Sequence, residues 1–202
     1  MTAAPPRACL LALLAGAAIA PQIHGAAPTV LGSPDGRMTL TIGAGLDGTF
    51  TWRVTLGGKP VIDPSPIGIM VDGINLGANA EVARVERYRI DERYDWRGVH
   101  SVAVNRSNGA RLTLRRIASH QTYTIDARVS NDAVAFRFVV PGTGRRVPDA
   151  ATGFRVPTGT IVWSHGLRNH YESQYDRRAI EDIPAGDWAG PPVTFKLPAD
   201  AG

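Results

Sequence analysis

The sequence predicts an all-β protein built from two antiparallel sheets packed face to face. Three observations carry that prediction. Apolar residues recur at every second position in run after run, turn-forming residues separate the runs, and no stretch holds a helical period long enough to define a helix. Gly and Pro are abundant, 22 and 15 of 202 residues, as many short strands joined by tight turns require. No internal repeat and no linker divides the body of the chain.

The first element is a leader. Arg7 supplies a positive start, and "CLLALLAGAAIA" (Cys9 to Ala20) is an unbroken apolar run followed by small residues in "PQIHGAAP". This is the pattern of a secretory signal peptide, and the run is too short to span a membrane as a helix. Residues 1–26 are therefore read as the signal and 27–202 as one β-sandwich domain, secreted and expected in the periplasm. Cys9 is the only cysteine, so the expected mature chain has no disulfide, thiol nucleophile or Cys metal ligand.

The strands follow in order. "RMTLTIGA" places Met38, Leu40 and Ile42 on one face, and "TFTWRVTL" does so with Phe50, Trp52, Val54 and Leu56. "ARLTLRRI" alternates Leu112 and Leu114 with Arg111, Thr113 and Arg115. "YTIDARV" aligns Tyr123, Ile125, Ala127 and Val129, and "AVAFRFVV" aligns Val134, Phe136 and Phe138. Between them, Gly57-Gly58 predicts a turn with positive φ, and Asn131-Asp132 another tight turn. Pro64 and Pro66 keep their segment extended and away from central strand positions. A short helix is expected near residues 176–183.

Residues 161–178, "IVWSHGLRNHYESQYDRR", break this simplicity. They show neither period and gather Trp163, Tyr171, Tyr175, His165, His170, Glu172 and Asp176. The stretch reads as a polar aromatic loop at a sheet rim. Trp163 and Tyr171 suit either stacking on a sugar ring or an edge-of-core position. His170 and His165 suit either sugar hydroxyls or plain solvation.

Charge excludes one class. The formal net charge is +4, and twenty of the twenty-two basic residues are Arg, but these stand singly or in pairs from Arg7 to Arg178. A nucleic-acid surface needs a basic stripe with interleaved aromatics, so no nucleic-acid partner is expected.

Taken in order, "SPDGRMTLTI", "FTWRVTLGGKPVIDPSPIGIMVDG", "NDAVAFRFVVPG", "FRVPTGTIVWSHG" and "YESQY" resemble the N-terminal domain of glycoside hydrolase family 97, the α-glucosidase and α-galactosidase family. The resemblance covers about residues 30–197, with a departure in "PDAATGF", where the family carries a Glu. It implies a β-super-sandwich similar to galactose mutarotase, here lacking its last strands, and a catalytic (β/α)8 barrel that this chain does not contain. It also implies carbohydrate as partner, an α-glucoside or α-galactoside, and calcium as cofactor. "HYESQY" matches the place where the family's N-terminal domain offers a Glu to a calcium ion at the barrel's site, which here is Glu172. Read from the residues alone, Glu172 is equally a solvated carboxylate beside Arg168 and Arg177. Trp163, Tyr171 and His170 are the carbohydrate-binding candidates.

Glycoside hydrolysis needs two carboxylates flanking the scissile bond, and no such pair stands out. Glu181 and Asp182 are adjacent and on a strand would face opposite ways. No catalytic residue is assigned, and the isolated chain is expected to be inactive. Two functions are compatible with the sequence. One is a non-catalytic domain of a secreted α-glycoside hydrolase. The other is a free-standing β-sandwich that binds carbohydrate or protein.

Overall fold

The computed structural model describes residues 27–45, 48–166 and 173–199. Residues 1–26, read above as a leader, and with them Cys9, lie outside the described residues. The fold is all-β. Strands β1 (Thr29–Gly32), β2 (Met38–Ala44), β3 (Phe50–Leu56) and β4 (Lys59–Pro66) form one antiparallel sheet in that order. Strands β5 (Ile69–Val71) and β6 (Ile74–Asn75) lead to β7 (Ala80–Asp95), β8 (Val102–Arg116), β9 (Thr122–Val129) and β10 (Val134–Val139). These last four form the facing sheet, in the order β10-β9-β8-β7.

Each expected alternation feeds the space between these sheets. Leu40, Ile42, Phe50, Trp52 and Val54 are buried from one side, and Leu112, Leu114, Tyr123, Ile125 and Val129 from the other. Phe136 and Phe138 pack partly buried against this core. Trp52 fixes the corner. Its ring meets Phe136 and Phe154 edge-on, each at 5.1 Å, and its Nε1–H donates to the Gly153 carbonyl at 3.0 Å. A buried indole with its N–H satisfied adds area without an unmet polar group.

The turns behave as their residues require. Gly57 and Gly58 take φ of 59° and 85° between β3 and β4. Ser130 N–H donates to the Ala133 carbonyl at 2.9 Å, closing the turn through Asn131 and Asp132. Pro60, Pro64 and Pro66 fall on β4, an edge strand, where a missing N–H does least harm.

β7 is the longest strand among the described residues, and its alternation is not visible in the sequence. It runs 16 residues and pairs with β8 along its length. A bulge between Val82 and Arg84 shifts its phase, and charged residues fill most of its exposed positions, so alternation is hard to read. The Arg87 guanidinium donates to the Val30 carbonyl at 2.8 Å and the Asn108 amide to the Gly32 carbonyl at 2.9 Å, tying β1 to this hairpin.

Two small sheets complete the fold. β11 (Pro148–Ala150) pairs with β5 and so with β6. β12 (Ile161–His165) lies between β13 (Asp176–Ala179) and β14 (Gly190–Lys196). The helix expected near residues 176–183 is in fact β13 followed by one 3-10 turn, Ile180–Asp182. Among the described residues, no helix is long and apolar enough to cross a membrane.

Candidate functional site

The stretch expected to be a polar loop begins as a strand. Ile161 and Trp163 are half-buried, while Val162 and Ser164 are 2% and 1% exposed. A single Val alternating with a Ser is too short and too polar to show its period, which is why the strand escapes notice. Its pairing with β14 is irregular between Trp163 and His165, and His165 ends up buried as well, at 2% exposure. The reading of His165 as a solvated histidine is therefore corrected.

The burial of His165 is made possible by its cross-strand neighbour. A Cβ on Gly190 would lie 2.5 Å from Cε1 of the His165 ring, so only glycine leaves room for it. The ring also meets Tyr175 edge-on at 5.1 Å, and Nδ1 lies 3.2 Å from the Gly166 carbonyl oxygen. His165 is a packed ring that fixes where β12 ends.

Trp163 pairs in register with Arg177, whose guanidinium carbon stands 5.8 Å from the ring centroid. A sugar stacking on that face would displace the guanidinium. Tyr171, His170 and Glu172 lie outside the described residues.

Past the end of β12, the residues on either side of that segment open into a cleft of about 430 Å³. Gly166, Ser173, Gln174, Asp176, Arg178, Asp187 and Trp188 line it. Arg178 donates to Asp187 at 2.9 Å, which holds both side chains in place. Trp188 is 76% exposed. Planar polar groups beside an exposed indole are what a sugar ring uses: hydroxyls bond to the carboxylate, amide and guanidinium, and the apolar ring face meets the Trp. Sequence reasoning missed Trp188, Asp187 and Arg178. The one signal was "AGDWAG", an aromatic between small residues with no apolar partner at strand spacing.

Cation chemistry fits this cleft only in part. Its donors are oxygens, the type a hard cation such as calcium prefers. Asp187, however, is already paired with Arg178. Among the described residues no three His, Cys, Asp or Glu side chains converge as a metal site. Six to eight oxygens would have to come largely from elsewhere. The other adjacent carboxylates, Glu181 and Asp182, sit on the 3-10 turn rather than on a strand. Glu181 accepts the Gly159 N–H at 2.5 Å, which holds its carboxyl below the usual range.

Comparison with known proteins gives consistent matches. The family model described as Glycosyl-hydrolase 97 N-terminal matches residues 31–202. A probable retaining alpha-galactosidase of Streptomyces bingchenggensis is 28% identical over 165 residues, covering 80% of this chain and 25% of the relative. A retaining alpha-galactosidase of Bacteroides thetaiotaomicron is 33% identical over 114 residues, covering 55% of this chain and 16% of the relative. Among solved structures, a Glycoside Hydrolase Family 97 enzyme from a Pseudoalteromonas strain, in complex with acarbose, superposes with a TM-score of 0.72 at 20% identity. That match covers 84% of this chain and 27% of the enzyme. A beta-arabinopyranosidase superposes with a TM-score of 0.64 at 23% identity, over 73% of this chain and 26% of that one. The β-super-sandwich expected from the sequence is the shared fold, and the chain spans about a quarter of the length of the Streptomyces relative and of these solved structures.

Proposed function

The chain belongs to the Glycosyl-hydrolase 97 N-terminal family, and on that premise we propose that it acts as the non-catalytic N-terminal domain of a secreted α-glycoside hydrolase. In this reading it shapes the rim of a carbohydrate site that a catalytic barrel completes. The observation that carries the reading is the position of the cleft. Gly166 and Ser173, the residues that flank the segment holding His170, Tyr171 and Glu172, both line it, together with Trp188 and the Arg178–Asp187 pair. The chain thus brings both flanks of the segment that resembles the family's calcium-ligating stretch to the same cleft as the exposed Trp188.

The substrate we propose is an α-galactoside, because the curated relatives are named as alpha-galactosidases; an α-glucoside is the other candidate. Trp188 stacks on the sugar in this reading, and Trp163, Tyr171 and His170 are the further carbohydrate-binding candidates. Glu172 supplies one oxygen ligand to calcium, and the barrel supplies the rest. Calcium in such a site stabilises negative charge and orients sugar hydroxyls. The chain's own part is to hold the rim rigid, through the buried His165 and the Arg178–Asp187 pair.

The test is calcium titration of three samples: the chain alone, the chain fused to a family barrel, and the fusion carrying Glu172→Gln. The chain alone binds weakly, the fusion tightly, and the substituted fusion weakly again, since an amide oxygen carries no net charge. The chain alone hydrolyses no aryl α-galactoside above the buffer rate. Tight calcium binding by the chain alone, or a substituted fusion equal to its parent, would mean that Glu172 has no such role.

A further inference from the structure

On the face of the β10-β9-β8-β7 sheet that points away from the core, two adjacent cross-strand rows meet. One row is Glu86, Arg111, Asp126 and Arg137; the next is Tyr88, Gly109, Arg128 and Ala135. Asp126 lies on this outer face, yet its side chain is only 3% exposed. Tyr88 is the cause. Its ring lies across Gly109, where an added Cβ would sit 2.2 Å from a ring carbon, and its hydroxyl donates to Asp126 Oδ1 at 2.5 Å.

Around this one carboxylate stand three guanidiniums. Arg137 donates to Oδ2 through Nε and Nη2, at 3.2 and 3.0 Å. Arg128 donates through Nε to the Tyr88 hydroxyl at 3.1 Å. Arg111 reaches no closer than 4.0 Å to the carboxylate and lies over the Tyr88 ring instead, at 4.9 Å. Glu86 does not balance it, because Glu86 pairs with Arg84 at 2.8 Å. Glu92 acts on Arg128 only at a distance and takes the Asn105 amide at 3.2 Å. The outer Nη groups of Arg128, Nη1 of Arg137 and the whole Arg111 fork are thus left with unspent hydrogen-bonding capacity. Arg128 and Arg137 line a shallow cleft of about 200 Å³ together with Asp126, Ala135 and Phe136, and Arg111 stands beside it, over the Tyr88 ring.

We propose that Arg111, Arg128 and Arg137, held in place by Tyr88 and Asp126, bind an oxyanion group, a carboxylate or sulfate, carried on an acidic saccharide. Guanidinium forks match such planar or tetrahedral oxygens in geometry as well as charge. Three Arg against one neutralised Asp leave the cleft cationic, so a neutral sugar has no reason to choose it. The cleft takes one charged substituent and part of a ring, rather than a length of peptide. This site is separate from the one proposed above, on a different sheet.

The test is titration of the chain with galacturonate, galactose, inorganic sulfate and a short poly-glutamate peptide, read by backbone amide shifts on β8, β9 and β10. Galacturonate shifts these strands and galactose does not. Arg111→Gln and Arg128→Gln each weaken galacturonate binding about tenfold, the loss of one charge-assisted hydrogen bond. Each variant gives up one contact to Tyr88 and melts a few degrees below the parent, but stays folded through the titration because Arg137 still neutralises Asp126. Equal shifts with galactose, or unchanged affinity in both variants, would overturn the site. Sulfate or the peptide binding the same strands more tightly than galacturonate would overturn its assignment to a saccharide.

Discussion

Gly109→Ala is the substitution that tests the outer-face geometry most directly. Gly109 does not occupy the left-handed region, so alanine meets no backbone strain there. What it meets is the Tyr88 ring: the new Cβ would stand 2.2, 2.3 and 2.6 Å from three ring carbons. The ring must swing off the sheet, and the hydroxyl leaves Asp126 when it does. A hydrogen bond to a charged group contributes about 1.5–3 kcal/mol, and the lost Arg111 contact over the ring adds up to about 1 kcal/mol. Alanine in place of a strand glycine returns about 0.5–1 kcal/mol. The net expectation is a loss of about 1–3 kcal/mol, or about 2–10 °C in melting temperature for a domain of this size.

The assay is a double-mutant cycle by urea unfolding: parent, Gly109→Ala, Tyr88→Ala and the pair. With the ring gone, Gly109→Ala should be neutral or stabilising, so the two sites couple by about 2 kcal/mol. If Gly109→Ala is as stable as the parent, or if it destabilises equally in the Tyr88→Ala background, the ring does not depend on the glycine and the reasoning fails.

Three further outcomes follow from the same structure. Tyr123 is buried with its hydroxyl unpartnered among the described residues, so Tyr123→Phe should raise stability by about 1 kcal/mol in thermal unfolding, where a loss would reveal a hidden partner. Burial pushes the Asp126 carboxyl up, but hydrogen bonds from Tyr88 and Arg137 and the charges of Arg137 and Arg111 outweigh it, leaving it below its ordinary value of 3.8. A carboxyl lowered on folding contributes stability that is present above its unfolded value and lost as pH falls through the folded one. The melting-temperature gap between parent and Asp126→Asn should therefore narrow from about pH 5 to about pH 2, and a constant gap would contradict this. Gly190→Ala should drive the His165 ring from its place and disturb β12 and β14, seen as amide shifts confined to that sheet, with the main core unmoved.

What the sequence disclosed and what it hid divide along a physical line. β3 and β9 were legible because each presents an unbroken apolar face to one core, and the period of a strand is local. β7 was hidden by its bulge and its charges. Asp126 sits in "YTIDARV" at a polar phase and looks like any solvent-facing residue. Its burial is imposed by Tyr88, 38 residues earlier in the chain, lying across a glycine on the strand between them. The same holds at the cleft. Trp188 and Asp187 reach Gly166 and Ser173 through a three-stranded sheet whose central strand carries an irregular pairing and a buried histidine. Alternation records which face a residue is on, but not what a distant strand lays over it. In both places a glycine marks the crossing, Gly109 under Tyr88 and Gly190 against His165, and neither needs a positive φ. A glycine within an otherwise good strand is thus the local trace of a contact made from far away, and the place to look first for chemistry that periodicity cannot show.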